Sequence, residues 1–433
     1  MKKQNLANIE PFEICSIRPP TENNSLTFRL TRNCYWNKCE FCPVYKTGVK
    51  YSKRSFEDIE KDILHAKKID ELLEKEGVYS LPYSQGQTLL YSLIEKVKQA
   101  RFDAGLIPTL DEKNNDLIDS PNLDERMRWL LSWLKDKPIT EDSFTHIYMW
   151  RMTGGKTCFL GDADSLILKP DLINKTTSLI KKTFPSIDRF TIYGRTKSAS
   201  KLRTLDELKE YAKAGINRVH FGLESGDDRV LELVKKGETA EDHKNGILKV
   251  KEAGISASVY IMPGLGGNKL SESNSIETAK LLNIVAPDYV RIRTLEVFPA
   301  TGLGSMKRNE NFIEASEEEV IKEIRVIIAN TLCETEIVSD SAANLLNING
   351  KLPYERDNML FEIDSYLELS KRQKLEFSLK SRLQSFTGQY GGLTEDIYSM
   401  LSPYIKNDKL DISKANDKHL TQIISLIRGK LMP

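Results

Sequence analysis

The stretch from Arg189 to Glu224, RFTIYGRTKSASKLRTLDELKEYAKAGINRVHFGLE, decides the fold class. RFTIYG (189–194) has the β-branched and aromatic composition of a strand. In LDELKEYAKAG (205–215) apolar residues recur at helical spacing, and a glycine marks the stop. NRVHFGL (217–223) is a second apolar strand, so the segment reads strand, helix, strand. The alternation continues both ways. KTCFLG (156–161) and the amphipathic DLINKTTSLIKKTF (171–184) precede it; helical DDRVLELVKKG and EDHKNGILKVKEAG, strand SASVYIM (256–262), helical SNSIETAKLLNIVA and strand DYVRIRTLEV (288–297) follow.

Strands alternating with helices of roughly 10–15 residues imply βαβ units and a parallel sheet, wound in one sense by right-handed crossovers. SLTFRLT (25–31) brings the strands to six. The expected fold is α/β, a partial (β/α)6 TIM-like barrel with ligand sites at the C-terminal ends of its strands. Around a core at 25–300, residues 1–24 read as an irregular arm and about 60–145 as a helical insertion. Residues 301–433 read as a C-terminal helical extension, with no strand pattern after about Ser316.

The 433 residues include 63 basic and 62 acidic side chains, so no global field draws the chain to nucleic acid or an anionic membrane. No apolar run approaches the ~20 residues of a membrane-spanning helix, and the N-terminus lacks the apolar stretch of a secretory signal. A cytoplasmic location is expected, where thiols stay reduced. Neither a membrane nor a nucleic acid is expected as a partner.

The strongest chemical signal directly follows SLTFRLT: Arg32-Asn33-Cys34-Tyr35-Trp36-Asn37-Lys38-Cys39-Glu40-Phe41-Cys42-Pro43, three cysteines spaced C-x4-C-x2-C. Thiolates this close on one short loop can converge on a metal centre. Three is the informative count, because structural zinc and an all-cysteine cubane each take four protein ligands. Three leave one iron of a [4Fe–4S] cluster open to a small chelating molecule. The alternatives are a zinc knuckle completed by a distant His or Cys, or thiols that merely pack. Of five histidines (65, 146, 220, 243 and 419), none stands at zinc-finger spacing from the triplet. Cys15, Cys158 and Cys333, scattered singly, are expected to be small buried hydrophobes.

The loop resembles that of the radical S-adenosylmethionine (SAM) superfamily, whose usual spacing is C-x3-C-x2-C with an aromatic residue before the third cysteine. Phe41 holds that aromatic place, while the first gap is one residue longer, which leaves the subfamily open. The resemblance covers roughly residues 25–300. It implies a [4Fe–4S] cluster on Cys34, Cys39 and Cys42, with SAM chelating the open iron through its amino and carboxylate groups. It further implies reductive cleavage of SAM to a 5′-deoxyadenosyl radical that abstracts hydrogen from a small-molecule or peptide substrate, unidentified here. Oxygen sensitivity and a one-electron donor such as flavodoxin or ferredoxin go with that chemistry. The alternatives are 3-amino-3-carboxypropyl transfer from SAM on the same cluster, or a zinc-stabilised binding or scaffold protein.

The resemblance also places SAM contacts at the strand ends. Asp162 and Asp164, after the second strand, would accept hydrogen bonds from the SAM ammonium, or else cap the turn before Leu166. Arg195, after the third, would fork onto the SAM carboxylate. Gly222-Leu223-Glu224-Ser225-Gly226 resembles the GLESG segment of the coproporphyrinogen-dehydrogenase, methylthiotransferase and Elongator-catalytic-subunit branches. There the polar residue at the Glu224 position lies near the ribose or methionine moiety, and Ser225 adjoins it. Met262-Pro263-Gly264 ends the fifth strand, where glycine lets the backbone approach a flat adenine. On the sixth strand Arg291 and Arg293 share one face; turned inward, they would suit an anionic substrate. No residue acting on the substrate itself can be named.

Overall fold

The computed structural model describes residues 6–46, 48–113, 116–121, 123–135, 137–406 and 409–431. Its centre is one eight-stranded sheet whose strands lie in chain order: β1 (Leu26–Arg29), β2 (Thr157–Gly161), β3 (Arg189–Gly194), β4 (Ile216–Glu224), β5 (Ser256–Ile261), β6 (Tyr289–Ile292), β7 (Thr335–Val338) and β8 (Gly350–Leu352). Neighbours pair parallel from β1 through β7, and only β8 runs antiparallel. β1 and β8 end the sheet, so the barrel is open between them. The strands are nearly continuous in burial, as a parallel sheet covered on both faces requires.

Helices make the crossovers. Between β1 and β2 lie α1 (Phe56–Lys75), α2 (Tyr83–Asp103), α3 (Glu125–Trp133) and α4 (Thr140–Met152), across the segment read from sequence as an insertion at about 60–145. Then come α5 (Pro170–Thr183), α6 (Leu205–Lys213), α7 (Asp228–Leu233), α8 (Ala240–Glu252), α9 (Ser271–Val285), α10 (Gly302–Arg308) and α11 (Glu317–Asn330). Reciprocal Ser/Thr and acidic capping boxes start α6, α8 and α11, satisfying amide groups that no turn of the helix can reach.

Two strands lie where the sequence pattern gave only helices. β7 and β8 are four and three residues long, and TEIV and GKL are too short and too polar to show a period. The sheet, not the local sequence, makes them strands. After β8, α12 (Arg356–Leu367), α13 (Lys371–Tyr390), α14 (Glu395–Leu401) and α15 (Asp417–Lys430) complete the chain, and the last three enclose a second apolar core around Leu379, Phe386 and Ile423. Trp129 of α3 packs on that core and donates its indole N–H to the Lys430 carbonyl (2.6 Å), so the insertion and the tail meet.

The N-terminal arm is irregular but buried. Phe12, Ile14 and Cys15 are enclosed. Glu22 is fully buried, bonded to Ser25 and Arg189, and Thr21 accepts from Arg291, so the arm crosses from β3 to β6 inside the curve of the sheet.

Candidate functional site

The cysteine loop is held at its base and along its length. A two-residue antiparallel ribbon, Thr31–Arg32 with Ser52–Lys53, closes residues 33–51 into one loop at the C-terminal end of β1. Its outer part seats on the turn after α7: the Glu40 amide donates to the Val234 carbonyl (2.9 Å) and the Trp36 indole to the Lys235 carbonyl (2.8 Å). Two glycines make room for it. A Cβ on Gly237, whose φ is +71°, would stand 2.1 Å from the Trp36 ring, and one on Gly302 would overlap the Glu40 carboxylate. The Leu303 amide then donates to the Glu40 carbonyl (2.8 Å).

Cys34, Cys39 and Cys42 are all free thiols at intermediate exposure. Burial pushes the Cys39 thiol up to about 12, against the pull of the Lys236 and Arg195 cations. Cys42 is also raised by burial, while the Val44 and Tyr45 amides favour its thiolate. Amide hydrogen bonds to sulfur are a feature of iron–sulfur sites, where ligation requires the thiolate. Each thiolate also disfavours its neighbours, as expected of thiols sharing one site. Among the described residues, no three His, Cys, Asp or Glu side chains close on a point that one metal ion could share. A cubane would take one thiolate on each of three irons, a donor set that three thiols on one loop can supply. Cys34, Cys39 and Cys42 are the residues able to hold it.

Each residue expected to touch SAM has protein partners. Asp162 accepts from both Arg29 Nε (3.2 Å) and Nη2 (2.7 Å), from the Asn33 amide (3.1 Å) and from the Cys15 thiol (3.2 Å). It therefore ties β1 and the entry of the cysteine loop to β2. Asp164 caps the turn before Leu166 (3.2 Å) and accepts from the Arg195 amide (3.1 Å) and the Ser198 hydroxyl (2.5 Å). Burial outweighs these donors and lifts its carboxyl to about 6.

Arg195 pairs with Glu238 (3.1 Å), donates to the Lys236 carbonyl (2.6 Å) and lies over the rings of Tyr35 (5.5 Å) and Trp36 (5.1 Å). Glu224 sits at a left-handed φ of 65°, where a register shift interrupts the β4–β5 pairing, and its carboxylate meets Lys236 at 3.1 Å. Ser225 donates to Asn274 (2.6 Å) and accepts from the Asp227 amide (2.9 Å). Phe41 and Met262 share one apolar cluster with Val230, Leu265 and Leu303. The Gly264 amide donates to the buried Glu323 (3.0 Å).

The sequence reading missed Lys236 and Glu238. In VKKGE they look like residues of a solvated helix end, yet both are buried and charged beside Cys39. No local signal marks them; only the return of the chain beside the cysteine loop does. Tyr45, which lies just after the third cysteine, is half-buried, with its hydroxyl enclosed near Asp162 and the thiols. Arg291 and Arg293 both face inward: Arg291 is buried on Asp340, Ser258 and Thr21, and Arg293 lines a cleft.

Residues 146–279, from α4 into α9, match the profile of the Radical SAM superfamily. That stretch, less than half of the chain, is similar to the radical SAM superfamily. The match begins after the insertion, so the cysteine loop lies upstream of it. A domain of this kind marks an enzyme, and the superfamily's cofactors are a [4Fe–4S] cluster and SAM.

Over 119 residues the chain is 29% identical to the tRNA uridine(34) acetyltransferase of Methanocaldococcus infernus, covering 27% of this chain and 22% of that protein. The heme chaperone HemW of Bacillus subtilis is 27% identical over 151 residues, 34% of this chain and 38% of that one. The solved Elp3 of Methanocaldococcus infernus with an N-terminal deletion aligns with a TM-score of 0.39 at 20% identity, covering 52% of this chain and 57% of that one. The chain thus spans about a fifth of the length of the tRNA acetyltransferase it matches. Among the described residues, no helix is long and apolar enough to cross a membrane.

Proposed function

We propose that this radical SAM enzyme holds its cluster on Cys34, Cys39 and Cys42 and binds SAM between the cysteine loop and the ends of β4 and β5. The observation that carries the reading is the three-thiol loop, mounted on the end of β1 and locked onto the turn that carries Lys236. When bound, the reduced cluster supplies the electron that cleaves SAM to methionine and a 5′-deoxyadenosyl radical, which takes hydrogen from the substrate.

The chain's own residues bind and orient. Phe41 and Met262 give the site an apolar wall, and Gly264 supplies a backbone without a Cβ beside it. Glu224 and Ser225 offer polar groups for the ribose or methionine end. Arg195 and Lys236 offset negative charge near Cys39, and both are already neutralised by Glu224 and Glu238. Asp162 and Asp164 act through the loops they tie together; a direct bond from either to the SAM ammonium requires it to exchange a protein donor. A one-electron donor of the flavodoxin or ferredoxin kind and the reducing cytoplasm complete the proposal. The tRNA substrate of the acetyltransferases is not carried over, since most of their length has no counterpart in the alignment.

The test is anaerobic reconstitution with iron and sulfide, reduction, and chromatography of nucleosides after incubation with SAM. 5′-Deoxyadenosine from the wild type but not from the Cys34→Ala/Cys39→Ala/Cys42→Ala variant is the expected result. 5′-Methylthioadenosine would replace this reading with aminocarboxypropyl transfer, and tightly bound zinc without sulfide would replace it with a scaffold.

A further inference from the structure

Inside the curve of the sheet lies a cleft of about 620 Å³, beside the cysteine loop but distinct from it. Tyr193, Tyr260 and Arg293 wall it from β3, β5 and the end of β6, Arg18 from the arm, Asp340 from the turn after β7 and Gln389 from α13. It shares Ser16 and Ile17 with a small pocket lined by Asn33, Tyr45 and Asp162 at the foot of the cysteine loop. The two spaces therefore adjoin across two residues of the arm.

The charges of this cleft do not cancel. Arg291 is taken up by Asp340, Ser258 and Thr21. Arg293 has only the face of Tyr260, 6.0 Å away, and Arg18 donates only to the carbonyls of Cys15 (2.8 Å) and Asn23 (3.2 Å). Among the described residues, no carboxylate lies within ion-pair distance of either guanidinium, and Arg18 feels only the more distant charge of Glu22. The Tyr260 hydroxyl is buried, and the Tyr193 hydroxyl beside it is its one neighbour of hydrogen-bonding kind among the described residues. Burial raises both phenols, Tyr260 to about 12, so both stay protonated and able to donate. Asp340 Oδ1 is a buried acceptor without a partner among the described residues, and its other oxygen is on Arg291. Buried polar groups are normally paired, so an enclosed phenol and carboxylate oxygen beside two half-buried guanidinium groups without a close carboxylate point to a missing ligand.

We propose that this cleft is the substrate site and that the substrate is a small anion, whose carboxylate or phosphate is taken between Arg18 and Arg293 with Tyr260 donating to it. Asp340 Oδ1 accepts from a hydroxyl or amine elsewhere on the same molecule. The proposal rests on the radical SAM reading only in calling the anion a substrate; the binding itself does not require the cluster.

The full chain, as purified and without reconstitution, is titrated with inorganic phosphate and separately with succinate, against sodium chloride at matched ionic strength. Melting temperature and tyrosine fluorescence are the readouts. Saturable binding is expected, and the anion that saturates at lower concentration tells phosphate from carboxylate. Arg293→Gln weakens it by about tenfold or more, the scale of one charge-assisted hydrogen bond, and Arg293→Lys restores part. Arg18→Gln gives a second, independent loss should Arg293→Gln prove poorly folded. The proposal fails if neither anion saturates, if both substitutions leave the affinity unchanged, or if SAM displaces the anion competitively. Anion binding without any 5′-deoxyadenosine would sink the radical SAM chemistry alone; 5′-deoxyadenosine without anion binding would sink this proposal alone.

Discussion

Two groups of charges line this barrel, and they are built differently. Around Cys39, the cations Arg195 and Lys236 meet the carboxylates Glu224 and Glu238, with Lys236 to Glu224 at 3.1 Å and Arg195 to Glu238 at 3.1 Å. Glu238 also accepts from Thr196 (2.9 Å) and the Lys197 amide (2.8 Å). In the cleft, Arg18 and Arg293 have no carboxylate at ion-pair distance among the described residues, and only the more distant Glu22 acts on Arg18. A buried network that the protein balances itself is scaffold, because removing one member strands another in a low-dielectric interior. An unbalanced one costs stability and persists where a ligand completes it.

The largest effect expected from breaking this contrast is on the balanced side. Lys236→Met leaves Glu224 and Glu238 with Arg195 as the remaining cation, at a cost of about 3–5 kcal/mol, read from the denaturant midpoint. A second substitution, Glu224→Gln, recovers part of the loss if the penalty is stranded charge; no recovery would mean that packing, not charge, holds the turn.

Gly237→Ala comes next. A side chain at φ +71° and 2.1 Å from the Trp36 ring strains the backbone by about 1–3 kcal/mol and drives the indole off its seat. Tryptophan emission shifts and iron content after reconstitution falls; unchanged iron would show that the seat is not needed for the cluster.

A smaller effect is a pH dependence at Glu323, beneath the Gly264 turn. Burial raises its carboxyl from the ordinary 4.5 to about 7, although Gly264 and Asn274 donate to it. A value raised in the folded state favours that state most below about 4.5 and loses the contribution as pH rises through about 7. Denaturant titrations across this window should decline for the wild type and flatten for Glu323→Gln.

The smallest effect belongs to the unbalanced side. Arg293→Gln changes stability by less than about 0.5 kcal/mol, because no carboxylate is left behind. A loss near that of Lys236→Met would erase the distinction between the two networks.

Much of this was legible from short range. The βα alternation located six of the eight strands, since a buried parallel strand needs an apolar run and a crossover helix needs a stripe. The cysteine triplet was legible for the same reason: its spacing is local. β7 was not, because four residues with two polar side chains carry no period, and it exists through pairing with β6. The roles of Asp162 and Asp164 were half visible. The cap on Leu166 follows from sequence, whereas the fork from Arg29 joins residues more than a hundred positions apart.

By itself, then, the sequence determined the fold class and the direction of the strands and marked three cysteines as candidates for a cluster, all properties of periodicity and of donors a few positions apart. Only the tertiary structure decided which charges are paired. Lys236 is buried because the turn after α7 folds back under Trp36, and Arg293 stays unpaired because the arm, β5 and α13 meet around it and leave an open space. Ion pairing falls off steeply with separation and depends on burial, and neither separation nor burial across distant segments is written in their local order.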